Sequence, residues 1–355
     1  MIFPESITRG LLRDSNIKPS DVYEKQWALI IGINQYPNFT PLKYAVEDAK
    51  SIKTTLMTQY GFLEENIALL TDYDATKDGI QNAFFDLAEK TNDEDAVVIF
   101  FAGHGTTRQN PGGEDLGYLV PIDGKMDNLT RTTLSMKSIN TFSNEIPAKS
   151  ILFLVDACYG GLAAVGQYRS NRDLDIVKAL TKDRSRQIIT AGKKDEEVIE
   201  NEKWGHSAFT RVLLQGLMDL KADVDQDGII LANQLFSFIH NNVLKLTDGF
   251  QTPQFNKLSS EDGEFAFIDQ NILTEIFDTG LSGFGYLTIP SEPFGALIKI
   301  NDILIDKKTP LIAKSMESGY HTITISKKGY KDHSDRIFIK PNLTTTINPI
   351  MKLIE

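Results

Sequence analysis

Residues 151–161 read Ile-Leu-Phe-Leu-Val-Asp-Ala-Cys-Tyr-Gly-Gly, an apolar run that leads into the single cysteine of the chain, Cys158, and a pair of glycines. A short apolar run bounded by turn residues is typical of a strand buried on both faces. A second such run, residues 96–102, ends in Gly103-His104-Gly105. In open α/β sheets, ligands bind in the crevice beyond the carboxyl ends of the strands. We therefore expect Cys158 and His104 to reach one cleft if the two strands are neighbours.

The segments around these two strands alternate between strand and helix patterns. This alternation predicts an α/β fold with a mainly parallel sheet flanked by helices. The predicted strands are residues 27–33, 67–70, 96–102, 151–157 and 187–191, and helical patterns cover residues 46–60, 77–90 with Thr76 as N-cap, and 206–220.

The pattern changes from Gly285 onward to short alternating strands separated by turn residues. Such a pattern is typical of a small all-β sandwich. Small residues and two glycines in segment 278–284 indicate a linker. We predict an N-terminal extension (1–22), a first domain (23–277), the linker (278–284) and a β-sandwich domain (285–355), whose strands cover residues 286–289, 296–300, 321–325 and 336–339.

Composition limits the classes of function. The chain has 355 residues, 41% hydrophobic and 24% charged, which is typical of a globular protein. A net charge of −11 argues against general nucleic-acid binding, which needs a basic face. One cysteine cannot form an internal disulfide, and we find neither a signal-peptide pattern nor an apolar run of membrane-spanning length. We therefore expect a cytoplasmic protein without a membrane span.

A cysteine and a histidine at one cleft are the minimum for thiol catalysis. Taken singly, each has a simpler interpretation: Cys158 as an inert buried thiol, and His104 as a turn histidine bonded to backbone. A nucleotide-binding flavodoxin-like fold is a further alternative. It is weaker, because the first strand ends in residues 32–36, Gly-Ile-Asn-Gln-Tyr, which lack a phosphate-binding glycine pattern.

The two motifs together carry a family resemblance. Caspases have Gln-Ala-Cys followed by Arg, Gln or Gly and then Gly, with a histidine about 50 residues upstream. Here the motif is Asp156-Ala157-Cys158-Tyr159-Gly160, with His104 at that spacing. The region from Trp27 to about Phe267 resembles the caspase-like cysteine peptidases, closest to the metacaspase and orthocaspase branch. The C-terminal region resembles the PEGA domain, although Phe294 stands where that domain's motif has Glu.

The resemblance implies roles for named residues. Cys158 would attack a peptide carbonyl while His104 transfers protons, and the backbone amides of Gly105 and Cys158 would form the oxyanion hole. Asp156 matches the aspartate that lines the S1 pocket of metacaspases, and Asp48 matches the Asp of their Asn-Asp-Ala motif, with Glu47 in place of the Asn. Two carboxylates would select Arg or Lys at P1. Alternatively, Asp156 caps a neighbouring loop and Asp48 caps or solvates a helix start.

Metal binding has weak support in the sequence. Asp223, Asp225 and Asp227 imitate the opening of a calcium loop, but Gln234 stands where the bidentate carboxylate should be. A solvated turn is the alternative. Glu114, Asp115 and Asp123 lie where metacaspases hold calcium-binding acids, and too few acids match to predict a calcium requirement. We expect no required cofactor, with calcium open as an effector.

The loop between the Cys158 strand and the next strand, residues 162–187, is rich in Arg and Lys. It is either a solvated connection or a segment that the peptidase cleaves in itself; its candidate cut sites include Lys178, Lys182, Arg184 and Arg186.

A catalytically idle scaffold that binds a partner through its C-terminal domain is the competing function. By resemblance we expect a monomer acting on proteins or peptides with a basic P1 residue; the sequence does not identify the partner of the C-terminal domain.

Overall fold

The computed structural model describes residues 19–158, 179–194, 196, 198–224, 228–270, 284–290, 295–301, 303–317, 319–339, 344–347, 349 and 351–354. The chain divides into two compact units, Met1–Gln270 and Asn271–Glu355. The predicted linker lies almost entirely outside the described residues.

Strands and helices alternate along most of the first unit. Its strands are β1 (Gln26–Gly32), β2 (Ile67–Thr71), β3 (Ala96–Ala102), β4 (Gly105–Gln109), β5 (Asp115–Leu119), β6 (Leu134–Ser135), β7 (Ser150–Cys158), β8 (Ser185–Gly192), β9 (Glu200–Asn201), β10 (His206–Ser207), β11 (Ile229–Leu231), β12 (Gln254–Lys257) and β13 (Ala266–Ile268). Its α-helices are α1 (Ala45–Tyr60), α2 (Lys77–Lys90), α3 (Leu129–Thr132), α4 (Met136–Glu145), α5 (Ala208–Leu217) and α6 (Ala232–Leu246), with single 3₁₀ turns at Pro19–Asp21, Glu64–Asn66, Asp72–Asp74 and Met126–Asn128.

A six-stranded sheet in the order β12-β8-β7-β3-β1-β2 forms the centre of this unit. The neighbours from β2 to β8 pair in parallel, and only the edge strand β12 runs antiparallel to β8. Every residue of β3 is buried, as expected for a strand covered on both faces. The predicted α/β fold with a mainly parallel, helix-flanked sheet is confirmed.

The two faces of the sheet pack against different helices. Alternate residues of β1 point to opposite faces, so that Ala28 and Ile30 join the core under α1, α5 and α6, whereas Leu29 and Ile31 join the core under α2 and α4. At Gly32, a Cβ would lie 2.4 Å from the Ala45 carbonyl oxygen. The close approach of α1 to the end of β1 therefore requires glycine there.

Local signals set most helix boundaries. Thr76 is the N-cap of α2, as predicted, and its side chain accepts a hydrogen bond from the Gly79 amide. The helix expected over residues 206–220 begins later, at Ala208, because His206 and Ser207 pair with β9 and the Ser207 side chain caps the helix. The pattern of apolar residues did not separate this short strand from the helix.

Arg186 corrects one prediction. It lies in β8 with only 2% of its surface exposed, and its guanidinium donates to the backbone carbonyls of Ser143, Ile146, Ala148, Lys149 and Ser185. A side chain held in this way inside a central strand cannot enter a protease cleft, so Arg186 is wrong as a cut site. Lys182 and Arg184 are exposed, and residues 159–178 lie outside the described residues.

The second unit consists of two sheets around one apolar core. Its strands are β14 (Phe284–Ile289), β15 (Leu297–Ile300), β16 (Ile303–Lys308), β17 (Leu311–Glu317), β18 (Gly319–Ser326), β19 (His333–Ile339) and β20 (Thr344–Thr346). The sheets have the orders β17-β14-β20 and β16-β15-β18-β19. Leu287, Ile298 and Ile323 belong to a core shared by both sheets, as expected of a sandwich. Sequence patterns missed β16, β17 and β20.

Among the described residues, no helix combines the length and the apolar character needed to cross a bilayer.

Candidate active site

The strands that carry His104 and Cys158 are direct neighbours. Strands β3 and β7 pair in parallel with Ala102 opposite Asp156, and the Gly103 amide donates to the Asp156 carbonyl at 3.3 Å. The predicted adjacency of the two strand ends is confirmed. The Cys158 backbone pairs with Gly192 of β8, whereas its side chain lies outside the described residues.

The imidazole of His104 is held by a backbone carbonyl. Its Nε2 lies 2.7 Å from the Thr40 carbonyl oxygen, in the loop that follows β1. Because a carbonyl only accepts, Nε2 must carry the hydrogen and donate it. A neutral His104 therefore has its lone pair on Nδ1. This tautomer leaves the ring able to accept a proton at Nδ1, which is the capacity a general base requires.

Two aromatic residues from the same loop enclose His104. The ring centroid of Tyr36 lies 4.7 Å from that of His104, and the ring centroid of Phe39 lies 5.7 Å from it. The Tyr36 hydroxyl accepts a hydrogen bond from the His104 amide at 3.0 Å and donates to the Val120 carbonyl at 2.9 Å. Tyr36 thus ties the turn after β3 to the strand end at β5.

Gly103 is required by this arrangement. A Cβ at position 103 would lie 2.5 Å from the Tyr36 hydroxyl oxygen and 3.0 Å from Phe101 Cζ. We expect Gly103→Ala to displace Tyr36 and to lower kcat/KM at least ~10-fold for every P1 residue, since a misplacement of about 1 Å can cost ~10²-fold. Peptide kinetics would check this, with Gly112→Ala in the exposed β4–β5 turn as control. Unchanged kinetics in Gly103→Ala would contradict it.

Asp156 lies two residues before Cys158 and is buried, with 3% of its surface exposed. One carboxylate oxygen, Oδ2, accepts hydrogen bonds from the hydroxyls of Ser207 and Thr210, the latter at 2.6 Å. The other, Oδ1, is buried without a hydrogen-bond partner among the described residues. Such an oxygen is costly to leave unpaired, so it marks a place where a water molecule or a bound ligand would supply a donor.

Asp48 joins the same cluster from α1. It is 1% exposed; its Oδ1 lies 2.5 Å from His206 Nδ1, and its Oδ2 accepts from the Ser207 amide at 3.3 Å. The N-cap of α1 is Tyr44, so Asp48 does not cap that helix. Ser207 therefore links the two predicted acids, its amide to Asp48 and its hydroxyl to Asp156.

Burial shifts both acids toward the protonated form. Desolvation raises the pKa of Asp48 to about 8, against a lowering contribution from the Ser207 amide. Desolvation, followed by the nearby charge of Asp48, raises the pKa of Asp156 to about 7, and the hydroxyls of Ser207 and Thr210 partly offset this rise. Both carboxyls are therefore partly protonated near neutral pH. A cation between them would favour their ionised forms.

The site also contains five residues that the sequence patterns did not predict: Tyr36, Thr40, His206, Ser207 and Thr210. Ser207 was detectable as a helix N-cap, because its hydroxyl also accepts from the Thr210 amide at 2.9 Å. The contact of that cap with Asp156 joins segments more than 50 positions apart, which local patterns do not reveal. Tyr36 appeared in the sequence only as the last residue of segment 32–36, with no indication that it contacts His104.

The proposed metal ligands do not converge in the described part of the chain, which contains no cluster of three His, Cys, Asp or Glu side chains suited to a metal ion. Asp223 is buried rather than solvated and accepts from the Gly228 amide at 2.9 Å, while Asp225 and Asp227 lie outside the described residues. Gln234 accepts from the Leu231 amide at the start of α6.

The acids that follow His104 have separate partners. Both oxygens of Asp115 lie 2.8 Å from Lys194 Nζ. Glu114 accepts from the Asn110 side chain, and Asp123 accepts from the Lys77 amide. The ammonium of Lys194 thus neutralises Asp115, one of the three acids that follow His104.

Comparison with known proteins gives the family. Residues 25–262 match the caspase domain, a family of cysteine peptidases. The chain belongs to the caspase domain family. Residues 284–353 match the PEGA domain, so both expected resemblances are confirmed. Membership makes this protein a caspase-like cysteine peptidase, with proteins as its class of substrate.

Relatives among characterised proteins are metacaspases. Metacaspase-6 of Arabidopsis thaliana is 25% identical over 70% of this chain and 72% of its own length. Metacaspase-4 of the same plant is 36% identical over 27% of this chain and 25% of its own length. Among solved structures, protein GSU0716 from Geobacter sulfurreducens superposes with a TM-score of 0.46 and 16% identity, covering 66% of this chain and 93% of that protein.

Proposed function

We propose that this protein is a cysteine endopeptidase that cleaves peptide bonds after Arg or Lys through Cys158 and His104. The observation that carries the proposal is the buried Oδ1 of Asp156, which has no hydrogen-bond partner among the described residues and lies two residues before the only cysteine of the chain. A P1 guanidinium or ammonium would supply the donor that this oxygen lacks, with a charge-assisted hydrogen bond. Asp48 adds a second carboxyl to the same cluster, and a bound cation would favour its ionised form.

In the proposed reaction, His104 Nδ1 takes the thiol proton and the Cys158 sulfur attacks the carbonyl carbon of the P1 residue. The amides of Gly105 and Cys158 donate to the resulting oxyanion. His104 then gives its proton to the leaving amine, and the acyl-enzyme remains. Water, deprotonated by His104, hydrolyses this thioester and restores the thiol. Support from the structure is the Nε2 contact with Thr40, which leaves Nδ1 as the base.

We also propose that the enzyme cleaves itself within residues 162–187, where the exposed Lys182 and Arg184 supply suitable P1 side chains. We propose that the protein is cytoplasmic and monomeric and does not bind nucleic acid. Its single cysteine supports the cytoplasmic location, and its net charge of −11 supports the absence of nucleic-acid binding. The idle-scaffold alternative is less favoured, because His104 and both pocket acids are present with specific partners.

The test is hydrolysis of fluorogenic peptides that differ only in an Arg, Lys or Asp at P1, with EDTA or with added calcium. We expect Arg and Lys peptides to be cleaved and Asp peptides to be resistant. We expect less than about a twofold difference between EDTA and calcium, because Lys194 already neutralises Asp115. Strict dependence on calcium would refute the expectation that no cofactor is required. Preferential cleavage after Asp would refute the S1 assignment.

A further inference from the structure

The start of α5 supplies two hydroxyl donors to one oxygen of the proposed P1-binding acid. Thr210 is fully buried, and its Oγ1 donates to Asp156 Oδ2 at 2.6 Å; the Ser207 hydroxyl donates to the same atom. Carboxylates hydrogen-bonded in this way are stabilised in their charged form. Because two donors occupy Oδ2, the carboxylate is fixed in rotation, and Oδ1 is the oxygen that has no partner within the part of the chain that the structure describes.

We propose that Ser207 and Thr210 are specificity-determining positioning residues, which hold Asp156 ionised and oriented so that its Oδ1 binds the P1 cation. The inference rests on the proposed function and adds residues on α5 and its N-cap to the pocket. Neither hydroxyl contacts the substrate; both act through Asp156.

Other charges near Asp156 set the background against which these hydroxyls act. Burial and the charges of Asp48 on α1 and Glu200 on β9 disfavour its ionisation. His206 on β10 contacts Asp48, Glu47 on α1 adds a further negative charge near Asp48, and the Glu200 carboxylate accepts from the amides of Lys43 and Tyr44. No cationic side chain among the described residues contacts Asp156 directly, so its charged form depends on the two hydroxyls.

Thr210→Val is the discriminating variant, because valine has the shape of threonine without the hydroxyl. The measurement is the ratio of kcat/KM for an Arg peptide to that for a norleucine peptide, followed from pH 5.5 to 9.5. Effects of pH on the catalytic step are common to both peptides and cancel in the ratio, and the Arg side chain stays charged throughout. The ratio therefore reports the pocket acids alone.

Loss of one hydrogen bond to the charged form raises the pH needed for ionisation. We expect the midpoint of the ratio to rise by about one pH unit in Thr210→Val, which lowers the ratio at pH 7 about fivefold and leaves it near wild type at pH 9.5. Norleucine hydrolysis should not change. Thr210→Ser, which keeps the hydroxyl, should restore the wild-type midpoint.

Thr55→Val is the matched control. Thr55 is also a buried helical threonine, but its hydroxyl donates to the Ser51 carbonyl at 2.9 Å. Thr210→Ala removes the same hydroxyl with less bulk and should shift the midpoint in the same direction if the valine variant fails to fold. A wild-type preference for Arg with coincident profiles in the hydroxyl-less variants would overturn this inference and leave the proposed function standing. A wild type without preference for Arg would overturn both.

Discussion

Replacing Cys158 by Ala is expected to lower hydrolysis of Arg and Lys peptides by at least ~10³-fold, to the uncatalysed background, because no other thiol exists in the chain to form the acyl-enzyme. The measurement is kcat/KM for the best P1-Arg peptide with the full chain. Folding should be preserved, since the change removes one sulfur atom at the end of β7.

The same variant tests self-cleavage. Mass spectrometry of incubated wild type should show cuts after Arg or Lys between residues 162 and 187, and Cys158→Ala should stay intact under identical conditions. His104→Ala should reduce turnover to a similar level, because nucleophile and base act as a unit and their losses do not add. Residual activity in Cys158→Ala within tenfold of wild type would exclude a thiol mechanism.

Asp156→Asn should have the second largest effect. It keeps the shape of the side chain and removes its charge, so we expect the ratio of kcat/KM for Arg over norleucine to fall about 10²-fold at pH 8.5, within the range measured when one partner of a buried charge pair is lost. Norleucine hydrolysis should change little. A comparable loss for both peptides would mean that Asp156 supports the catalytic groups instead of the P1 pocket.

The pH dependence has a definite sign. Burial raises the pKa of Asp156 to about 7 and that of Asp48 to about 8, so both acids are largely protonated at pH 6. In wild type, the preference for Arg should therefore increase as the pH rises from 6 to 9, and in Asp156→Asn most of this increase should disappear. Asp223→Asn, which changes another buried acid, is the control and should follow the wild-type profile.

The stability of the variant should follow the same linkage. A buried carboxyl whose pKa is higher in the folded than in the unfolded state lowers the free energy of unfolding once it ionises. For Asp156 this loss grows as the pH rises from about 3.9, the unfolded pKa, to about 7, the folded pKa, and is constant above that. The neutral amide of Asp156→Asn avoids this cost at pH 8.5. Loss of Arg selectivity together with an unfolding temperature at or above that of wild type at pH 8.5 would thus separate a binding defect from a folding defect.

Local patterns predicted the parts of the fold that depend on one segment at a time. The apolar runs ending at Ala102 and Cys158 identified the two central strands, and Thr76 marked the start of α2. Parallel pairing of β3 and β7 then brought His104 and Cys158 to one edge of the sheet, as expected from the fold class. Short strands such as β16 and β20 went unpredicted because their residues are mostly exposed or half-buried and lack an alternating apolar pattern.

The supporting residues of the site were beyond sequence patterns for a physical reason. Tyr36 contacts the His104 amide across 68 positions of the chain, and Thr210 contacts Asp156 across 54. Such contacts depend on how elements pack, and a lone Tyr in a loop or a Thr near a helix start carries no signal of its partner. Arg186 shows the converse: a basic residue in a charge-rich segment resembled a cut site, yet it is buried among carbonyls.

The most direct single measurement is competition between P1-Arg and P1-Asp peptides, present together in equal amounts with the full-length protein at pH 8.5, because the ratio of initial rates equals the ratio of their kcat/KM values. A pocket built on Asp156 and Asp48 predicts a ratio above ~10³ in favour of Arg, since like charges brought together cost several kcal/mol. A ratio near one, or a preference for Asp, would contradict the proposal that these buried carboxylates select a basic P1 residue.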